Sequence, residues 1–260
     1  MKRIAILTRD CGGVNAAIRA VVRTAVGEGL AVDGVMRGYH GLIRGDFVPL
    51  DRRSVSNIIG LGGTVLKTAR AEEFLAEAGQ REALAHLRER SVDGLVVIGG
   101  NGSLTGARVL AETYGFPVVG IPATIDNDVP GVAYAIGADT AVDVALDALD
   151  KIRDTATSLE RIFVVEVMGR KCGWLAMQVA LSGGCEEVLL PEKDVPLEAL
   201  CDEIKEARLG HAAVEALVAG RTGGLVHLVG DRVEFLKFGT AGDKKTTDIE
   251  FDYHLLKVLS

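Results

Sequence analysis

Residues 94–131 read GLVVIGGNGSLTGARVLAETYGFPVVGIPATIDNDVPG, and this stretch decides the fold. Gly94–Ile98 (GLVVI) is an unbroken apolar run, the pattern of a parallel strand buried on both faces. Gly99-Gly100-Asn101-Gly102-Ser103 forms a glycine turn that leads into a helix over Ser103–Tyr114. Pro117–Ile121 (PVVGI) then reads as a second central strand. Strand, helix and strand in this order make a right-handed crossover in a parallel sheet.

The rhythm extends in both directions. Upstream, Ile4–Leu7 is a short buried strand ended by Arg9 and Asp10. Asn15–Leu30 has helical spacing, with Ala17, Ile18, Val21, Val22 and Ala25 on one face. Ala31–Met36 is a strand. A helix over Ala71–Arg90 turns Phe74, Leu75, Ala78, Leu84 and Leu87 inward. Downstream the pattern restarts near Gly137: helix Asp139–Thr155, strand Arg161–Val167 (RIFVVEV), helix Gly173–Leu181, strand Glu187–Leu190 and helix Leu197–Ala207. A helix over Arg208–Ala219 follows, then Leu225–Val229 and Val233–Leu236 as a hairpin about Gly230-Asp231, and a polar loop over Ala241–Thr247. The expectation is an α/β protein of two doubly wound domains with parallel-rich sheets and the active site in the cleft between them. Residues 1–137 plus about 208–238 form one domain; residues 138–207 plus about 239–260 form the other.

Composition narrows the function. Of 260 residues, 48% are apolar and 25% charged, which excludes a disordered chain. A net charge of −7 argues against a nucleic-acid partner, whose binding needs a basic surface. No apolar run reaches membrane-span length, and Ile4–Leu7 is too short for a signal peptide. Cys11, Cys172, Cys185 and Cys201 form no CxxC pair, so they read as reduced, mostly buried thiols of a cytoplasmic protein.

Two loops carry candidate chemistry. GGNGS follows a strand and opens a helix; its glycines admit an anion to the backbone, with Ser103 placed to cap the helix. The same residues also suit a plain tight turn. Thr124-Ile125-Asp126-Asn127-Asp128 follows the next strand and offers a hydroxyl, a possible general base and a possible magnesium ligand. It also suits an Asx-turn cluster before Pro130. A third loop, Val167–Trp174, contains Arg170, whose planar fork fits phosphate; alone it reads as a surface arginine, as do Arg70 and Arg161. A nicotinamide-dependent oxidoreductase is disfavoured, because its glycine fingerprint belongs in the first βα turn and PVVGI ends without the acidic ribose ligand.

Six stretches together make the chain resemble the bacterial ATP-dependent 6-phosphofructokinase family: NAAIRAVVR (15–23), GGTVLKTAR (62–70), VVIGGNGSLTGA (96–107), PATIDNDVPG (122–131), DKIRDTATSLERIFVVEVMGRKCG (150–173) and GGCEEVLLPE (183–192). The likeness runs from Met1 to about Ala207 and less distinctly to Gly230. It implies transfer of the ATP γ-phosphoryl to the 1-hydroxyl of fructose 6-phosphate. Asp126 is then the base, Thr124 contacts the sugar and the transferring group, and Arg170 and Arg70 neutralise developing charge. Gly100, Asn101, Gly102 and Ser103 line the ATP phosphates, with Asn101 and Asp128 near Mg2+. Glu166, Met168 and Gly169 belong to the sugar pocket, and Arg161 reaches the 6-phosphate in a neighbouring subunit of a homotetramer. Arg19, Arg23, Arg52, Arg153 and Glu186 match the family's allosteric effector site. Pyrophosphate-using relatives carry an acidic residue where this chain has Gly102 and a lysine where it has Ala123, so ATP is the expected donor.

Three departures accompany the likeness. The opening loop Thr8–Asn15 (TRDCGGVN) is shorter than the family's and lacks its proline. Asn101 stands where most members have Asp, and an amide holds magnesium more weakly. After Ala207 a long segment with a GK-x-H stretch and a QRGG-type motif is missing. Losing a packed block exposes core, so we expect these gaps to be residues absent from this sequence and not from the protein. An intact mass near 27.4 kDa would refute that. If the chain is this short, fructose 6-phosphate binding should be badly impaired. A catalytically weak sugar-phosphate-binding paralogue is the alternative, along with a pyrophosphate-dependent enzyme.

Overall fold

In the computed structural model, which describes residues 1–159, 162–229 and 232–238, the GLVVI run is the core of a five-stranded sheet. Its strands are β1 (Arg3–Thr8), β2 (Ala31–Val35), β3 (Phe47–Leu50), β4 (Gly94–Gly99) and β5 (Val118–Pro122), in the order β3-β2-β1-β4-β5. All neighbours are parallel except β2 and β3. Side chains alternate across the pleat. Ala5, Leu7, Leu95 and Val97 enter one core layer, and Ile4, Ile6 and Ile98 enter the other. Helix α1 (Val14–Gly27) covers the second layer with Val14, Ile18 and Val22. Helices α2 (Tyr39–Ile43), α3 (Glu77–Glu89) and α4 (Asn101–Tyr114) cover the first with Leu42, Leu87 and Leu110. Ile6, Leu7, Leu87, Leu110 and Ile98 have essentially no exposed surface. Each contributes about 1.5–3 kcal/mol by leaving water.

The chain divides into two units, Met1–Asp194 and Val195–Ser260. The first also holds α5 (Ala138–Leu159) and α6 (Trp174–Gly183), packed through Leu149, Leu175 and Val179. In the second, α7 (Leu197–Val218) lies on a hairpin of β6 (Gly224–Val229) and β7 (Arg232–Lys237). The hairpin has the expected antiparallel pairing; its Gly230-Asp231 turn lies outside the described residues.

Several expectations are corrected. A second doubly wound sheet is not formed among the described residues. Ile162–Val167 forms no strand among the described residues, with Phe163 and Val164 44% and 86% exposed, and Glu187–Leu190 is likewise not a strand. Strand identity comes from a hydrogen-bonded neighbour, and an apolar sequence cannot supply one alone. PVVGI is central by sequence but is an edge strand among the described residues, with Val119 66% exposed. The helix read over Ala71–Arg90 is interrupted at extended Ala76, after a 3-10 turn at Glu72–Leu75. That break buries Phe74 against Tyr39, ring centroids 4.1 Å apart, and leaves Leu75 83% exposed. The two helices read over 197–219 are one, α7. The cysteines are less buried than expected: Cys11, Cys172 and Cys185 are half-buried and Cys201 is exposed. Residues 239–260, including the Ala241–Thr247 loop, lie outside the described residues. Among those described, no helix is long and apolar enough to cross a membrane.

Candidate active site

The chain leaves β1 towards β2 on one side and returns through β4 on the other. The crevice at the carboxyl ends of β1 and β4 is therefore the topological switch point, where open α/β sheets bind ligands. GGNGS sits there. Gly100 is extended and α4 begins at Asn101, two residues earlier than the sequence suggests. The amides of Asn101, Gly102 and Ser103 precede the first intrahelical bond, made by Leu104 N–H to Gly100 O at 3.0 Å. These free N–H groups, at the positive end of the helix dipole, suit an anion. Ser103 does not cap the helix: it lies in the first turn, buried beneath Gly99. A Cβ on Gly99 would sit 2.8 Å from Ser103 Cβ, and the Tyr39 hydroxyl donates to Ser103 O at 2.8 Å. Gly102, by contrast, faces open space.

The second loop is laid against the first. Ala123 N–H donates to Gly99 O at 3.0 Å, extending the β4–β5 ladder by one step. Ala123 also bridges Ile136, and Thr124 N–H donates to Ile136 O at 2.9 Å. A Cβ on Gly100 would lie 3.0 Å from Thr124 Cβ and 3.3 Å from Thr124 Oγ1, so the loops meet in backbone-to-side-chain contact. Asp126 N–H donates to Thr124 Oγ1 at 3.2 Å. Asn127 takes a left-handed conformation (φ 48°), donates to Ala133 O at 3.1 Å and accepts from Ala135 N–H at 2.8 Å. Those bonds hold the flanking carboxylates of Asp126 and Asp128.

Asp126 is half-buried, and its pKa is raised: first by burial, then by the neighbouring charge of Asp128, with Arg170 opposing. Arg170 is exposed and is presented by a tight turn in which Cys172 N–H donates to Gly169 O at 2.9 Å. A Cβ on Gly169 would meet Cys172 O at 2.4 Å, so only glycine fits. Asp126, Asp128, Thr124 and Arg170 thus gather beside the GGNGS turn. Glu166 and Met168 are exposed, with no hydrogen bond or ion pair to this group among the described residues. Arg161 lies outside the described residues.

The remaining basic residues fall in two places. Arg19 and Arg23 are one turn apart on α1; Arg19 donates to Val55 O at 2.6 Å, and Arg52 lies beside Gly27, one turn further. Arg153 donates to Gly183 O and, at 3.1 Å, to Gly184 O, closing the end of α6 two residues before Glu186. No hydrogen bond or ion pair joins the two places among the described residues.

The short Thr8–Asn15 loop holds more than sequence reasoning assigned to it. The Thr8 and Thr64 hydroxyls are 2.8 Å apart, and Asp10 Oδ1 accepts from Thr64 N–H at 2.7 Å. Arg9 Nη1 donates to Ala69 O at 3.1 Å. Buried Asn15 donates to Leu61 O and Gly63 O at 3.1 and 2.8 Å and accepts from Val65 N–H at 3.0 Å. Together they fasten the GGTVLKTAR segment, and so Arg70, to the switch point. One signal was available: a polar Asn at the start of an apolar helix face. Burial and then the Asp10 charge push the Cys11 thiol up to about 11, leaving it neutral.

Among the described residues, no three His, Cys, Asp or Glu side chains could hold a metal ion alone. Magnesium that arrives with a nucleotide needs only one or two carboxylates beside the phosphates. The adjacent charges of Asp126 and Asp128 fit that requirement.

A mostly parallel α/β sheet with a glycine turn and paired carboxylates at its switch point has the geometry that suits a phosphate ligand. The family model described as Phosphofructokinase matches residues 3–229, and the chain belongs to this family. It is 51% identical over 210 residues to ATP-dependent 6-phosphofructokinase 1 of Thermus thermophilus, covering 80% of this chain and 65% of that protein. It is 50% identical over 208 residues to the ATP-dependent 6-phosphofructokinase of Halothermothrix orenii, covering 79% and 63%. The chain therefore spans just under two thirds of these relatives. Among solved structures, phosphofructokinase of Saccharomyces cerevisiae matches with a TM-score of 0.74 and 38% identity, over 82% of this chain and 32% of that one. A pyrophosphate-dependent phosphofructokinase from Marinobacter aquaeolei, 18% identical with a TM-score of 0.65, covers 96% of this chain and 86% of its own; it shares the fold.

Proposed function

We propose that the protein is an ATP-dependent 6-phosphofructokinase, which transfers the γ-phosphoryl of ATP to the 1-hydroxyl of fructose 6-phosphate. The close approach of Gly100 to Thr124 carries this reading, because it sets a candidate phosphate cradle against a candidate base. Asp126 takes the hydroxyl proton; its raised pKa makes it a stronger base than a solvated aspartate. Thr124 positions the transferring group. Arg170 and Arg70 offset the charge that builds on it, and the amides of Gly102 and Ser103 hold the nucleotide phosphates. Transfer of this kind is mostly positioning and electrostatics. Mg2+, when bound with the nucleotide, neutralises phosphate charge; Asp128 would hold it, with Asn101 as a weak neighbour. The open space at Gly102 favours ATP over pyrophosphate as donor, since no carboxylate crowds a nucleotide there. Nucleotide binding falls to residues 1–137 plus about 208–238, and sugar-phosphate binding to residues 138–207 plus about 239–260, where Met168, Gly169 and Arg161 belong. We further assign the protein to a homotetramer in the cytoplasm, with Arg19, Arg23, Arg52, Arg153 and Glu186 as an anionic effector site.

A second reading is a sugar-phosphate-binding paralogue with weak catalysis, favoured by the neutral Asn101. Purified protein incubated with fructose 6-phosphate and either MgATP or pyrophosphate separates them. The kinase forms fructose 1,6-bisphosphate with MgATP only. Tight ligand binding without product supports the paralogue, and product from pyrophosphate overturns the choice of donor.

A further inference from the structure

Arg9 is the first residue after β1, on the β1 side of the switch point, and no expectation drawn from sequence gave it a role. Its side chain lies across Gly99: a Cβ there would be 3.1 Å from Arg9 Cγ. From that crossing its guanidinium reaches Ala69 O, 3.1 Å away, one residue before Arg70. Arg9 thus bridges the two segments that the proposed kinase uses for phosphate, GGNGS and GGTVLKTAR. It is half-buried, and among the described residues this is its side chain's one hydrogen bond, with no ion pair; its backbone N–H donates to Ile98 O at 2.9 Å. Neighbouring Asp10 does not neutralise it; its Oδ1 accepts from the Thr64 amide instead. A guanidinium carries five N–H donors in a fixed fork, so a tethered and otherwise unpaired arginine retains donors for a phosphate.

We propose that Arg9 binds the polyphosphate of the nucleotide at the β1 edge of the crevice, supplying a cation that the shortened Thr8–Asn15 loop adds to the site. This rests on the kinase reading given above. An arginine at this point favours ligands with several phosphates over a nucleoside, and it makes the loop a determinant of donor choice.

Calorimetric titration of wild-type protein, Arg9→Met and Arg9→Lys with ATP, AMP and adenosine tests the proposal. Methionine keeps the stem over Gly99 and removes the charge. R9M should weaken ATP binding about tenfold or more, the size of a lost charge-assisted hydrogen bond, and leave adenosine binding unchanged. R9K should recover part of the loss. The ratio of ATP to adenosine affinity is the deciding quantity, because a loss of stability alone does not move it. R9M should keep its effect in an Arg70→Met background, which separates direct contact from positioning of Arg70. An unchanged ratio, or no effect of R9M once Arg70 is removed, overturns the role of Arg9 while wild-type ATP binding leaves the kinase reading standing. Absence of ATP binding by the wild-type protein overturns both.

Discussion

Gly100 and Thr124 approach so closely that a Cβ on residue 100 would come within 3.0 Å of the threonine Cβ. That one contact couples the glycine turn after β4 to the carboxylate loop after β5. Gly100→Ala should force the loops apart by a few tenths of an ångström. Misplacement of reacting groups is costly, so turnover should fall on the order of a hundredfold while the melting temperature changes little. Steady-state kinetics beside a thermal melt checks this.

Asp126 gives the pH dependence. Its pKa is raised by burial and by Asp128, so turnover should decline on the acid side at a pH above the usual aspartate range. Stability runs in the opposite sense. A raised carboxyl pKa favours the folded state at low pH, and that benefit disappears as pH rises through the folded-state value. At neutral pH the ionised Asp126 therefore weakens the fold, and Asp126→Asn should melt no lower than wild type. A pH–rate profile and melts across the acid range measure both.

Asp33 on β2 is 1% exposed and is paired with Arg3 at 2.7 Å and with Arg90 at 3.2 Å, at the end of the sheet opposite the crevice. Asp33→Ala strands two half-exposed guanidinium groups. It should destabilise the protein by about 2–3 kcal/mol, read by urea unfolding, with the ATP affinity of the folded protein unchanged.

Asn15 is 3% exposed and makes three hydrogen bonds to residues 61–65. Asn15→Ala leaves two carbonyls and an amide without partners, costing about 2–3 kcal/mol of stability. Because this segment leads to Arg70, ATP affinity should also fall, whereas affinity for adenosine should not. Titration of both ligands distinguishes this result from general unfolding.

The sheet was legible because its strands carry their own signature. Ile4–Leu7 and Gly94–Ile98 are apolar throughout, and burial on both faces requires that composition. Tyr39–Ile43 and Phe47–Leu50 carry no such signature: the first is a one-turn helix between Gly38 and Gly45, the second a four-residue strand that contains Pro49. RIFVVEV carries the same apolar signature and forms no strand among the described residues, because pairing depends on a partner remote in sequence. In the site, GGNGS and TIDND announced themselves by residue type and by their position after strands. Arg9, Asn15 and Asn127 did not: each acts through a contact with a loop whose place is set by the fold. The meeting of Gly100 with Thr124 depends likewise on β4 pairing with β5.

The most direct test of the account is Asp126→Asn, assayed for formation of fructose 1,6-bisphosphate from MgATP and fructose 6-phosphate, with MgATP affinity measured on the same sample. Removal of a general base should lower turnover by about 10²–10⁴-fold and leave nucleotide binding close to wild type. Wild-type turnover in the Asn variant would contradict the assignment of Asp126 and, with it, the mechanism built on the Gly100–Thr124 contact.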